Sequence, residues 1–508
     1  MGKGDVRVCG LTMNHNCLLN LVIAALMGFS ESIWTGTIGV AFVYDVWGQS
    51  NTKVGLATAL TGFFSMATAL PAGWAADRFR RSAVIRVGAV AILAGVPLYG
   101  LGVVGASEGV GPGKGQCYVL ICVASALFGI SQGITNGPAQ ALLADSVATG
   151  QRSKFYNWLF CAYIVPSLLG PVISVAYFEA KGNDWHMPAL RDLMCLGLLL
   201  EVPVGMLSCL FRDDKALGDE SEAAQAGDGA PDVDARASSL SGDGVKLTDV
   251  EDSKEEPTDD AEAEEEEGTT PIKADPRVAR IPYIVFVTDL VVALGSGMTI
   301  KYFPLFFKND CHMSPASVQA IYVAVPVAMA CSSTAATALA KLVGRVQAVL
   351  LLRVTGLCCF GSMVFLYDRG FGTHGALKWA IVAFYVVRTA LMNCTYPLEE
   401  SILMDYVPKS TRARWKSLES ISMFGWCGSA LAGGVLADRF GYTKTFLITI
   451  GLQASGMLFY AQLLGIVQKE ADLAKKAKRS PLDDAATGDL DAPLLGGQEG
   501  PEESTSIQ

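Results

Sequence analysis

Twelve stretches of this chain are each long and apolar enough to cross the hydrocarbon core of a bilayer. A helix needs about 20 apolar residues for that crossing. The runs at 17–43, 54–76, 84–106, 116–144, 155–179 and 188–211 satisfy it, and so do those at 281–307, 315–340, 347–367, 376–404, 417–437 and 443–467. No other feature restricts the fold as tightly. Backbone exposed to lipid must satisfy its own hydrogen bonds, and a helix does this within one segment. The expected architecture is an all-α membrane protein of twelve transmembrane helices in two six-helix bundles, 17–211 and 277–468.

Charge separates the parts between and beyond the bundles. The chain of 508 residues carries a net charge of -10, yet residues 213–267 alone hold 21 Asp and Glu against four Lys and Arg, which leaves the remainder basic. The 212–276 stretch includes EDSKEEPTDDAEAEEEEG and no aromatic residue, a composition that cannot bury enough apolar surface to fold. It is expected to be an acidic, disordered cytoplasmic linker, with a polar N-terminal tail at 1–16 and a disordered tail at 469–508. The short loops that alternate on one side gather Arg78, Arg80, Arg81 and Arg86, then Arg152 and Lys154, then Lys341 and Arg345, then Lys409, Arg412, Arg414 and Lys416. By the positive-inside rule that side, with both termini and the linker, is expected to face the cytoplasm. The first apolar run lacks a small-residue cleavage site and is expected to serve as its own membrane signal. The 13 cysteines lie mostly inside apolar runs without CxxC spacing, as small buried hydrophobes do.

The two halves resemble each other. ADSVATGQRSKFY from Ala144 and MDYVPKSTRARWK from Met404 share an Asp that closes an apolar run, a Val two residues on and an Arg seven residues on. LLGPVISVAYFEA around Gly170 and LAGGVLADRFG around Gly433 recur at nearly the same spacing, as parallel halves of a transporter do.

Between the second and third runs stands GWAADRFRRS, Gly73 to Ser82. It resembles the signature of the major facilitator superfamily, G-x-x-x-D-R-x-G-R-[RK], through Gly73, Asp77, Arg78 and Arg81; Arg80 replaces the second glycine and Ser82 the last basic residue. The resemblance covers the chain apart from the linker and tails. It implies a twelve-span secondary transporter that works by alternating access, with this loop latching the two bundles on the cytoplasmic side. Asp77, Arg81 and Arg152, with Asp405 and Arg412 in the second half, are the expected latch.

Ionisable residues deep in a membrane are costly unless they face a cavity or a partner. The first run carries Asn20, Glu31 and Thr35 at helical spacing, the fourth Gln132, Asn136 and Gln140, the seventh Asp289, and the tenth Arg388 with Asn393, Glu399 and Glu400. The third, sixth, ninth and twelfth runs are expected to be nearly free of deep charge. Glu31 and Asp289 are the candidates for proton coupling, and Arg388 for holding an anionic group or for pairing with Glu31. Gln132, Asn136 and Asn393 complete the expected polar lining, with Trp34 and Tyr163 as rings able to stack on a solute. Each of these residues is equally open to a structural role.

GISQG, Gly129 to Gly133, matches a serine-nucleophile pattern but lies inside an apolar helix rather than on a strand-to-helix turn. Gly129, Gly133 and Gly137 instead give a GxxxGxxxG face for close helix contact. No enzyme, cofactor, metal or nucleic-acid partner is expected. The expected partners are membrane lipid and a small-molecule substrate, and the expected state is a monomer. The function expected is proton-coupled transport of an organic anion or zwitterion. Alternatives are a drug-like exporter and a solute sensor of the same fold signalling through the acidic linker. The plasma membrane or an endosomal or lysosomal membrane would house it, the latter through DAPLL, Asp491 to Leu495.

Overall fold

The structure, a computed structural model, describes residues 5–8, 11–109, 113–147, 152–217, 278–372, 375–407 and 419–467. The first half contains α1 (His15–Trp34), α2 (Thr37–Val46), α3 (Asn51–Arg78), α4 (Arg81–Glu108), α5 (Lys114–Asp145), α6 (Arg152–Ser167), α7 (Leu169–Lys181) and α8 (Met187–Ser208). The second half contains α9 (Ile281–Ile300), α10 (Phe303–Asn309), α11 (Pro315–Val343), α12 (Arg345–Asp368), α13 (Lys378–Asn393), α14 (Tyr396–Tyr406), α15 (Glu419–Phe440) and α16 (Tyr442–Tyr460).

Ten stretches of described helix are long and apolar enough to cross a membrane, not the twelve expected. They are α1 with α2, α3, α4, α5, α6 with α7, α9 with α10, α11, α12, α13 with α14, and α16. The physical reason for the shortfall differs between the other two helices. The 22 residues of α8 include Arg191, Asp192 and Glu201, whereas α15 begins at the edge of the described residues.

Two further features concern the flanks. An antiparallel hairpin pairs β1 (Asp5–Val8) with β2 (Leu11–Asn14) within the expected polar N-terminal tail. The β-branched Val6, Val8 and Thr12 favour that extended backbone. Residues 212–217, assigned by composition to the linker, fold against the first half. The Asp213 carboxylate accepts from Ser82 N at the start of α4, and Leu217 N donates to Asp145 O at 3.0 Å. The rest of the linker and the C-terminal tail lie outside the described residues.

Within each half the helices approach closely where glycine removes the side chain. A Cβ on Gly129 would stand 2.2 Å from Thr61 O of α3, and one on Gly133 would stand 2.2 Å from Ser65 O; Gly137, third in the expected face, has open space. Gly129→Leu should therefore cost about 1–3 kcal/mol through overpacking, whereas Gly137→Ala should leave the melting temperature unchanged or raise it. Thermal melting in detergent compares the two; equal effects would remove the claimed α3–α5 contact as the cause.

Between halves, α3 crosses α15 and α7 packs on α11. The first crossing is again made by small residues. A Cβ on Gly55 would meet Ala430 O at 2.5 Å, and one on Gly62 would meet the Cys427 Cβ at 2.1 Å. A buried cluster including Ile38, Phe42, Tyr302, Phe303, Phe306 and Phe446 bridges both halves at the end of the molecule remote from the chain termini, the far end. The other end, where α1 begins and α16 finishes, is the terminal end.

Candidate functional site

Four of the expected runs are broken helices. Helical hydrogen bonding is interrupted at Thr35–Gly36 between α1 and α2, at Leu168 between α6 and α7, at Lys301–Tyr302 between α9 and α10, and at Cys394–Thr395 between α13 and α14; Gly36 departs from helical dihedrals, while Leu168, Lys301, Tyr302, Cys394 and Thr395 keep them and kink the helix. Pro304 and Pro397 open the helices after two of these breaks, positions where a missing N–H costs nothing. The first and third breaks stand at corresponding places in the two halves. Half-helix ends at mid-span expose carbonyls and N–H groups that can meet polar solutes, as in transporters built from repeats.

Glu31 lies in the last turn of α1, next to its break. Tyr163 of α6 donates its hydroxyl to Glu31 Oε2 at 2.7 Å, and Thr35 Oγ1 donates back to Glu31 O at 2.9 Å. Gly28 lets the two helices meet, because its missing Cβ would stand 2.2 Å from Tyr163 O. Lys301, at the break of the second half, is near enough to act electrostatically on Glu31 and donates to Thr35 O at 3.2 Å. A carboxylate, a phenol and an ammonium from three helices thus gather around one pair of helix breaks. Arg388 is absent from this group, although pairing with Glu31 was one of its expected roles.

Beside Glu31 stands a second carboxyl that sequence reasoning missed. Glu201 of α8 is 2% exposed. Trp34 Nε1 donates to its Oε1 at 3.2 Å, and Ser30 Oγ lies 2.8 Å from the same oxygen. Glu201 is close enough to feel the charge of Glu31. Trp34 is itself buried, packed on Tyr99 and Phe128 with ring centroids 5.0 and 5.2 Å away. Its ring is occupied by neighbours, whereas Tyr163 remains partly exposed.

The second half holds an ion pair and a pocket. Arg353 of α12, 3% exposed, bonds the Glu399 carboxylate through Nη2 and donates from Nε to Thr395 Oγ1 at 3.0 Å. Glu201 and Arg353 both fall in runs expected to be free of deep charge, and the structure corrects that expectation. A pocket of about 50 Å³ next to the pair is lined by Asp289, Tyr396, Glu399, Glu400 and Ser422 among others. Asp289 is thus placed beside Glu399, with no direct partner to Glu31. Arg388 of α13 is 6% exposed, lies 4.5 Å from the Phe360 ring centroid and 5.4 Å from that of Phe303, and its Nε has no hydrogen-bond partner.

Gln132, Asn136 and Asn393 are exposed. Asn136 Oδ1 accepts from Gln140 Nε2 at 3.5 Å, and Asn393 Nδ2 donates to Thr389 O of its own helix at 2.7 Å. None of them glues two helices together. Of the expected latch, the described side chains are those of Asp77 and Arg81. Arg81 pairs with Asp145 of the same half, and Asp77 is exposed. The side chains of Arg152 and Asp405, and the whole of Arg412, lie outside the described residues.

Hydrogen bonds and an ion pair join described residues of the two halves from the helix breaks outward to the far end. Lys308 pairs with Asp45 below the Tyr44 and Trp185 rings. Trp185 Nε1 donates to Met313 O at 2.9 Å, Ala316 N to Asn183 Oδ1 at 3.0 Å, and Tyr442 OH to Asn51 Oδ1 at 3.0 Å. At the terminal end, Leu70, Trp74 and Phe79 are exposed.

No curated protein sequence matches the chain. Among solved structures, a D-xylose–proton symporter is 14% identical, with 89% of this chain and 97% of that chain covered at a TM-score of 0.60. A bacterial homologue of the iron transporter ferroportin, inward-facing, is 10% identical over 88% of this chain and 98% of its own, with a TM-score of 0.58. The outward-facing form of that homologue is 14% identical over 89% of this chain and 98% of its own, at 0.53. These likenesses show the fold. The family model of the Major Facilitator Superfamily matches residues 21–418. With broken helices at corresponding places in two halves, many apolar spans and that match, the chain is a multi-pass membrane transporter, not an enzyme, and belongs to the Major Facilitator Superfamily.

Proposed function

We propose that this protein moves a small organic anion or zwitterion by alternating access, with proton coupling, through a cavity between two bundles of six spans each. The observation that carries the reading is one-sided closure: the described contacts between halves seal the far end, while Gln132, Asn136, Asn393 and Tyr163 stay exposed. With both termini cytoplasmic, as the basic loops favour, this is an inward-open state. Counting α8 and α15 as spans gives twelve. The acidic segment from 218 to 276 then tethers the bundles on the cytoplasmic side.

The reading of the solute rests on two cations. Lys301 stands beside Glu31 at the helix breaks, and together they complement a molecule with both charges. Arg388 is a buried guanidinium supported by two aromatic faces, its Nε without an acceptor. A solute carboxylate or phosphate reaching it would supply a charge-assisted hydrogen bond.

Thermal stability of the purified protein against metabolites, at about pH 5.5 and 7.5, tests this, because a ligand that binds the folded state raises the melting temperature. Anionic or zwitterionic hits are expected. Arg388→Ala should weaken them by about tenfold or more, the loss expected for a hydrogen bond to a charged group, and Arg388→Lys should recover part of it. Hits confined to cationic amines, or unaltered by Arg388→Ala, would move the solute assignment to the Asp289 pocket.

A further inference from the structure

The signature-like loop has a second copy, at the opposite end of the molecule. Gly434-x-x-x-Asp438-Arg439-x-Gly441 follows the same pattern as Gly73-x-x-x-Asp77-Arg78, and it keeps the second glycine that Arg80 replaces in the first copy. Gly441 uses that freedom: its φ of +82° lies in the left-handed region, and α15 ends there. The first copy closes α3 at the terminal end, and the second closes α15 at the far end. These two helices form one of the crossings between the halves and run in opposite directions.

Asp438 is engaged. Its carboxylate accepts from Asn51 N at 2.8 Å, Asn51 Nδ2 at 2.8 Å, Thr52 N at 2.9 Å and Thr52 Oγ1 at 2.7 Å, and Ser50 Oγ lies at 3.2 Å. All five groups belong to the other half. Asn51 and Thr52 are the first residues of the 28-residue helix α3, whose leading N–H groups have no partner within the helix. A carboxylate there satisfies two of them and complements the positive end of the helix dipole. Close approach of the backbones makes this possible, since a Cβ on Gly434 would stand 2.5 Å from Asn51 O. Asp77 occupies the equivalent place on α3 and is exposed, at the end where the halves are not joined among the described residues.

We propose that Asp438 is the positioning residue that holds the far gate shut, by capping α3 across the interface, and that it releases when Asp77 takes over at the other end of the same helix pair. The inference rests on the alternating-access reading. Two aspartates, each closing one helix of a crossed pair, would give the two end states similar latches of opposite polarity.

Spin labels on ketone-bearing noncanonical residues at positions 114 and 376 test it. Both positions are exposed at the far end, one in each half, and ketone chemistry leaves the native cysteines untouched. Pulsed dipolar spectroscopy should show a dominant short distance in the parent protein. Asp438→Ala should raise the ratio of long to short distances about three- to tenfold, the factor expected for losing a helix N-cap. Thr52→Val, which removes one hydroxyl donor and keeps the carboxylate, should give a smaller rise in the same direction and carries the test if Asp438→Ala does not fold. An unchanged ratio in a folded Asp438→Ala protein, with Asp77→Ala still shifting it, overturns the latch alone. A single distance that neither aspartate variant moves overturns alternating access and the latch with it.

Discussion

Glu31→Gln is expected to abolish accumulation of solute against its gradient in proteoliposomes energised by a pH difference, while exchange of labelled for unlabelled solute persists. The amide oxygen can still accept from Tyr163, so the α1–α6 contact survives. What disappears is the charge facing Lys301 and the site that binds and releases a proton. A carboxyl set between a phenol and an ammonium changes protonation as its surroundings change. Opening the far end must change them, because the Lys301 bond to Thr35 O joins the two halves. Accumulation equal to the parent protein would exclude Glu31 as the coupling group. Glu201→Gln is the informative companion, since that carboxyl is buried beside Glu31 and held only by first-half groups. Coupling lost with Glu201→Gln and kept with Glu31→Gln would transfer the role to α8.

The largest effect on stability is expected from Arg353→Ala. The change leaves Glu399 buried without its cation, close to Asp289 and beside a pocket that also holds Glu400. Removing one member of a buried ion pair typically costs about 3–5 kcal/mol, whereas replacing both by apolar residues of similar volume is close to neutral. Arg353→Met with Glu399→Met should therefore melt near the parent temperature although the single Arg353→Ala does not. Thermal melting of the three proteins in one detergent makes the comparison. A double variant no more stable than the single one would mean that the pair, and not merely its balance, organises α12 against α14.

The part of the candidate site legible in the chain was the part carried by repetition. Glu31, Asp289, Arg388 and the amides of α5 stand out because polar residues recur on one face of an apolar helix. Glu201 and Arg353 sat in plain view, in LLLEV and LLLRV, and a lone ionisable residue in an apolar run already warrants attention. They lie in the sixth and ninth runs, which were expected to be nearly free of deep charge. Their partners come from distant segments: Ser30 and Trp34 are about 170 residues from Glu201, and the Arg353 bond to Glu399 spans 46. No periodicity along one helix reports a contact with another.

The apolar runs, the basic loops and the internal repeat already declare a membrane-embedded, two-part helical protein, because lipid demands long apolar helices and repetition leaves a direct trace in the residues. Pairing lies outside that trace. Arg81 could have met Asp77 and meets Asp145; Arg388 could have met Glu31 and lies over Phe303 and Phe360. The far-end closure through Asp438 was equally hidden, since it joins positions nearly 390 residues apart. Charge is attracted to any opposite charge, and only the packing of helices through Gly55, Gly62 and Gly434 selects which one comes within bonding distance.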